Sequence, residues 1–161
     1  MEVDVSSSVL IDRPLREVYE YSAKPEHARE WFTNLDSVEW PPGTPIAIGS
    51  RVKFVAHFLG HHVTSAYEVT DLAPGSFLVA RLVEGPLSFE TRYTWERAWG
   101  GTKMTVESRG PSQRFSGFSA GFVARAIHHE TRKDLRRLKD ILEGRGLSAT
   151  WTARPGMTLP R

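Results

Sequence analysis

Residues 51–69 read Arg51-Val52-Lys53-Phe54-Val55-Ala56-His57-Phe58-Leu59-Gly60-His61-His62-Val63-Thr64-Ser65-Ala66-Tyr67-Glu68-Val69, and the register of this stretch decides the fold. Val52, Phe54, Ala56 and Phe58 share one parity before Leu59-Gly60, and His61, Val63, Ser65, Tyr67 and Val69 share one parity after it. A two-residue turn at Leu59-Gly60 sets Phe58 opposite His61, Ala56 opposite Val63 and Val52 opposite Tyr67. The apolar faces of the two strands then coincide, which a slip of one residue would destroy.

The alternation continues downstream. Ala73-Pro74-Gly75 makes a turn, Ser76 to Val83 is a strand apolar on both faces, and Gly85-Pro86 turns again. Leu87, Phe89, Thr91, Tyr93 and Trp95 then alternate with polar residues, and Gly100-Gly101 leads into a last strand with Met104 and Val106 inward, ending near Gly110-Pro111. From about Ser119 to Glu143 the period changes to that of a helix. Ala120, Ala124, Ile127, Thr131, Leu135, Leu138 and Leu142 make its apolar stripe, and Gly144 is placed to end it. Some 25 residues of helix reach about 37 Å, the width of a small sheet.

Upstream, Val3, Val5, Ser7, Val9 and Ile11 form a half-buried strand. Pro14 opens a helix carrying Leu15, Val18, Tyr19 and Ser22, Lys24-Pro25 breaks it, and a second short helix carries Ala28, Trp31 and Phe32. A short strand near Leu35 to Trp40 precedes the loop Pro41-Pro42-Gly43-Thr44-Pro45. The expected class is therefore α+β, a seven-stranded curved antiparallel sheet gripping a long C-terminal helix, with two short helices after the first strand.

The 161 residues, 40% hydrophobic and 25% charged, suit one domain with a sizeable core. The reading places that domain at 1–143 and a flexible basic tail at 144–161, where Gly, Pro, Ser and Thr follow no period. That tail carries Arg145, Arg154 and Arg161 and no acid, so the net charge of +2 conceals a body of 18 basic and 19 acidic residues. A basic face for nucleic acid is missing, and nucleic acid is not an expected partner. Without cysteine there are no disulfides, thiolate metal sites or cysteine nucleophiles. The first residues carry acids at Glu2 and Asp4 and lack the pattern of a signal peptide, and no apolar run approaches the roughly 20 residues of a membrane span. A cytoplasmic protein without membrane insertion is the expectation.

Val9-Leu10-Ile11-Asp12-Arg13-Pro14 with Val18-Tyr19, Pro25-Glu26 with Trp31, Gly49-Ser50-Arg51-Val52, Tyr67 to Pro74, Gly101 to Thr105 and Asp134 to Glu143 follow one another in an order that resembles the Bet v 1-like helix-grip fold. Within it the chain is similar to the bacterial polyketide cyclase/dehydrase-like group of the START-related (SRPBCC) superfamily. The resemblance implies a container for a small hydrophobic or amphipathic ligand of lipid, polyketide or aromatic type, and no cofactor is expected. It also implies that some members are cyclases, dehydratases or hydrolases, but no subgroup catalytic signature is present to transfer. Three functions stand: a carrier or sensor; an aromatase/cyclase- or dehydratase-like enzyme; and a protein-interaction module using the aromatic segment before the long helix and the basic tail.

Strand parity predicts a ligand-binding wall of Val52, Phe54, Ala56, Phe58, Val63, Tyr67, Val69, Phe89, Tyr93 and Trp95, roofed by the long helix. A solid aromatic core is the alternative, disfavoured because one helix cannot fill a strongly curved sheet. Phe118 and Phe122, with Phe115, Gly117 and Gly121, make either a gate over the cavity mouth or the anchor of the helix start. The catalytic candidates are His61, Tyr67, Tyr93 and Arg81. His61 falls at a rim with no carboxylate to orient it, and Arg81 points outward if Leu78, Ala80 and Leu82 point inward, as the cost of burying a lone guanidinium favours. His57 and His62 face each other on the solvent side, but two ligands do not make a metal site, and no metal is expected. His128-His129-Glu130 lacks zincin spacing, and Arg132, Lys133, Arg136 and Arg137, interleaved with Asp134, Asp140 and Glu143, read as a solvated helix face.

Overall fold

The structure, a computed structural model, describes residues 2–144. Beyond Gly144 the expected tail lies outside the described residues. Strand β1 (Glu2–Ile11) leads to helix α1 (Leu15–Ser22), and a 3-10 turn (Pro25–His27) runs into helix α2 (Ala28–Trp31). Six strands follow, β2 (Leu35–Glu39), β3 (Arg51–Phe58), β4 (His61–Ala73), β5 (Phe77–Glu84), β6 (Glu90–Ala98) and β7 (Gly101–Pro111), and then helix α3 (Ala120–Glu143).

All seven strands join one antiparallel sheet in the order β1-β7-β6-β5-β4-β3-β2, so every hairpin of the meander pairs with its neighbour and β1 closes on β7. The decisive register is as the parity requires: Phe58 pairs with His61, Ala56 with Val63 and Val52 with Tyr67. Strand β6 is shorter than its alternation suggests, because residues 87–89 leave the ladder, although the Phe89 carbonyl still accepts from Leu82 N at 2.9 Å.

Prolines and caps set the helix ends. Pro14 sits just ahead of α1 in an extended conformation, φ −58° and ψ 146°, rather than inside its first turn. Lys24, forced out of the helical region by Pro25, divides α1 from the next turn. Ser119 caps α3 by accepting from Phe122 N at 3.2 Å, and Gly144, at φ 76°, ends it in the left-handed conformation that a side chain disfavours.

The buried face of α3 departs from the expected stripe. Asp134 and Glu143, expected on the solvated side, are both buried. Glu143 accepts from Asp12 N at 2.6 Å and from Lys139 Nζ at 2.8 Å, which ties the end of α3 to the end of β1. The main core joins Ile11, Val18, Trp31, Met104, Val106, Leu135 and Leu138, and a smaller cluster joins Phe58, Val63, Phe115 and Val123 under the start of α3. Between the two, sheet and helix do not meet.

Candidate functional site

The gap is a cavity of about 270 Å³, bounded by β3 to β6, α2 and the middle of α3. Its apolar wall is built as alternation dictates: Val52, Phe54, Ala56 and Phe58 from β3, Val63 and Tyr67 from β4, Leu78, Ala80 and Leu82 from β5, and Tyr93 and Trp95 from β6, with Phe89 just before it. Each strand of a curved sheet sends every second side chain inward, and the one helix packs chiefly against β1. The exposed Lys24 marks where the hollow reaches the surface.

Three residues expected at the cavity, Val69 on its wall and Phe118 and Phe122 at its mouth, do not line it. Val69 is fully buried but belongs to the main core, beyond the end of the hollow. Phe118 packs with the smaller cluster, and Phe122 is about half exposed and stacked on Phe118 at a centroid distance of 5.1 Å. Phe115 is buried beside Phe58, at a ring distance of 5.4 Å.

Of the four catalytic candidates, the two tyrosines reach the cavity and the other two do not. His61 is exposed and its Nε2 lies 2.7 Å from Ser116 Oγ, outside the hollow. Arg81 points outward, its Nη2 3.8 Å from Glu90, because Leu78, Ala80 and Leu82 take the inward parity. Tyr67 and Tyr93 face the interior, and burial raises both phenols above their ordinary range, so each is a neutral hydrogen-bond donor. Trp95 also lines the cavity, but its indole N–H is spent on Ser22 Oγ at 2.9 Å.

Asp134 is the residue that sequence reasoning missed. It projects from α3 into the polar end of the cavity with Thr131, Thr91 and Ser108. Its Oδ1 accepts from both Thr33 N (2.9 Å) and Thr33 Oγ1 (3.0 Å). Among the described residues no hydrogen bond reaches Oδ2. Burial pushes the Asp134 carboxyl up to about 7 against the opposing pull of the Thr33 bonds, with Glu130 adding like-charge repulsion. Trp31 Nε1, on the same wall, and Glu130 Oε2 are buried without a hydrogen-bond partner among the described residues. A signal was present: Ile127, Thr131, Asp134 and Leu138 are spaced four, three and four apart, which places Asp134 on the inward stripe.

An acid held near neutrality, two phenols and a free indole N–H around an apolar hollow can grip carbonyl or hydroxyl groups on a hydrophobic molecule, or exchange a proton with one. A curved sheet that grips one helix over such a hollow is the helix-grip architecture. The chain belongs to the family described as polyketide cyclase / dehydrase and lipid transport, whose model matches residues 2–143. Among solved structures it is similar to the Zhui aromatase/cyclase from Streptomyces sp. R1128, at 18% identity and TM-score 0.73, covering 94% of this chain and 100% of that one. A START superfamily protein from Mycobacterium smegmatis matches at 14% identity and TM-score 0.72, with coverage of 88% and 98%. A protein from Thermus thermophilus matches at 16% identity and TM-score 0.73, with coverage of 86% and 96%. At these identities the likeness is one of fold. Among curated protein sequences, none matches. No helix among the described residues is long and apolar enough to cross a membrane.

Proposed function

We propose that this protein binds a compact, mostly apolar ligand bearing carbonyl or hydroxyl groups, and that it acts as a carrier or sensor. The observation that carries this reading is the hollow itself, about 270 Å³ left open inside an otherwise packed interior. Ligand pockets commonly run from about 300 to 1,000 Å³, so the size favours a molecule of a few fused rings over a long-chain lipid. The donors Trp31 Nε1, Tyr67 and Tyr93 supply the polar grip. An interaction module is supported less, because within the Phe115 to Phe122 segment the Phe115 and Phe118 rings pack into the smaller cluster and Phe122 alone is left half exposed.

A second reading, an aromatase/cyclase- or dehydratase-like enzyme, is favoured by one feature, the Asp134 carboxyl held up near 7 at the cavity wall. Such a group can take and return a proton at neutral pH while the tyrosine hydroxyls stabilise an enolate. Native mass spectrometry of freshly purified protein supplies the ligand, and binding and conversion are then measured for Tyr67→Phe, Tyr93→Phe and Asp134→Asn. For a carrier, each lost hydroxyl weakens affinity by about 0.5–1.5 kcal/mol, roughly tenfold at most, and no variant or parent shows turnover. Turnover in the parent that falls on the order of 100-fold in Asp134→Asn, with affinity nearly unchanged, replaces the carrier with the enzyme.

A further inference from the structure

On the outer face of the sheet, away from the cavity, His57 and His62 have a third neighbour. Asp36 places Oδ1 2.9 Å from His57 Nδ1 and Oδ2 3.2 Å from His62 Nδ1. One ligand atom from each residue lies within 4.8 Å of the other two. The imidazole rings are 4.2 Å apart and tilted by 51°. We infer that Asp36, His57 and His62 form a surface site for a divalent first-row transition cation, with zinc as the probe.

The backbone builds this arrangement. His57 N donates to Asn34 O at 2.7 Å, and Asn34 Nδ2 donates to His57 O at 2.8 Å, so both backbone groups of His57 turn toward β2. His57 and His62 are therefore a non-hydrogen-bonded cross-strand pair, the kind whose side chains approach most closely. On β2 the register shifts between Leu35 and Ser37, which leaves Asp36 as the bulged residue with no cross-strand partner of its own. A bulge re-aims a side chain, and here it sets the carboxylate over the histidine pair.

The donor set fits the cation. Two imidazole nitrogens and one carboxylate are ordinary ligands for zinc, nickel or copper, and water completes the shell at an exposed site. Bond lengths of about 2.0–2.2 Å put the ligand atoms of a tetrahedral zinc site roughly 3.4 Å apart. Each carboxylate oxygen is already about that far from one imidazole nitrogen, and the three ligand atoms, one per residue, have to draw together from the 4.8 Å within which they lie. A dication held between the three residues would be ligated by both rings and the carboxylate. It would clip β2, whose Leu35 and Val38 line the cavity, to the β3–β4 hairpin.

The test uses the full chain without an affinity tag, stripped with chelator and titrated with zinc chloride by calorimetry, with thermal unfolding followed alongside. One zinc ion per chain with a micromolar dissociation constant is expected, together with a rise in Tm that chelator reverses. His57→Gln and His62→Gln should each weaken binding by about tenfold or more, and Asp36→Asn by about tenfold. All three should keep the parent Tm in chelator, since the side chains are at the surface. His128→Gln and His129→Gln should bind as the parent does. The inference is overturned if no stoichiometric binding occurs at millimolar zinc, if the His57→Gln/His62→Gln double variant binds as tightly as the parent, or if binding is lost with His128 or His129 instead.

Discussion

Leu138 and Phe54 both point into the space between sheet and helix, and they meet different surroundings. Leu138 is fully buried in the main core among Ile11, Val18, Trp31 and Met104, where the end of α3 lies against β1 and β7. Phe54, on β3, faces the hollow and is only partly buried, with Tyr67 at a ring distance of 6.2 Å as its aromatic neighbour. The two flanks of one sheet use the same alternation, and the long helix packs chiefly against one of them. Side chains that stabilise the fold are thus set apart from side chains that stabilise a complex.

The contrast is broken most directly by truncation. Leu138→Ala should cost about 3–4 kcal/mol in urea denaturation, the transfer term plus a new void in close-packed surroundings. Phe54→Ala should cost only about 1–2 kcal/mol without ligand, well below the usual cost of truncating a core phenylalanine, because its ring already borders empty space. If the two losses are equal, the hollow is as well packed as the core and the division of labour fails.

Asp134 sharpens the comparison, because it is an acid that the hollow keeps buried in hydroxyl and aromatic surroundings. Its proton is held to about pH 7 in the folded chain, against an ordinary value of 3.8. Its folded value is raised, so the protonated carboxyl contributes stability that is fully present below about pH 4 and is lost as the pH rises through 7. At most about 4 kcal/mol is at stake. Asp134→Asn keeps a carbonyl for the Thr33 donors and never ionises. It should therefore be more stable than the parent at pH 8, by on the order of 2 kcal/mol, and the gap should narrow as the pH falls below 7 and close near pH 4. A parallel pH profile for parent and variant would show a carboxyl that ionises in its ordinary range.

Much of this was legible in the sequence. The Leu59-Gly60 turn allowed one register with matched apolar faces, and that register carried the parity of β3 and β4 and hence most of the cavity wall. The misses have physical causes. Asp134 and Glu143 were assigned by charge, against the spacing that sets Asp134 on the inward stripe, and the Thr33 and Asp12 groups that satisfy them lie far away in the chain. Asp36 was invisible as a third neighbour of His57 and His62 because a bulge, not alternation, sets its position. Val69 obeyed its parity, but parity fixes a face and not how far along the strand the hollow extends.

The smallest effect expected comes from the two hairpin tips. Leu59 and Trp99 occupy equivalent turns, each at positive φ (49° and 46°) before a glycine that is also at positive φ, 82° at Gly60 and 78° at Gly100. Such two-residue turns favour Asn-Gly, and a left-handed conformation costs an ordinary side chain roughly 1–2 kcal/mol. Trp99 is 91% exposed, so Trp99→Asn loses almost no burial and should stabilise the protein by about 0.5–1 kcal/mol. Leu59 packs against the Phe58–Val63 cluster beside the hollow, so the same relief in Leu59→Asn is offset by lost apolar contact and should leave stability within about 0.5 kcal/mol of the parent. Denaturation midpoints of the two variants, measured side by side, decide it. A loss at Trp99 would mean that the indole makes contacts at the β6–β7 tip that offset its backbone conformation, and an equal gain at both sites would mean that Leu59 contributes nothing to the smaller cluster.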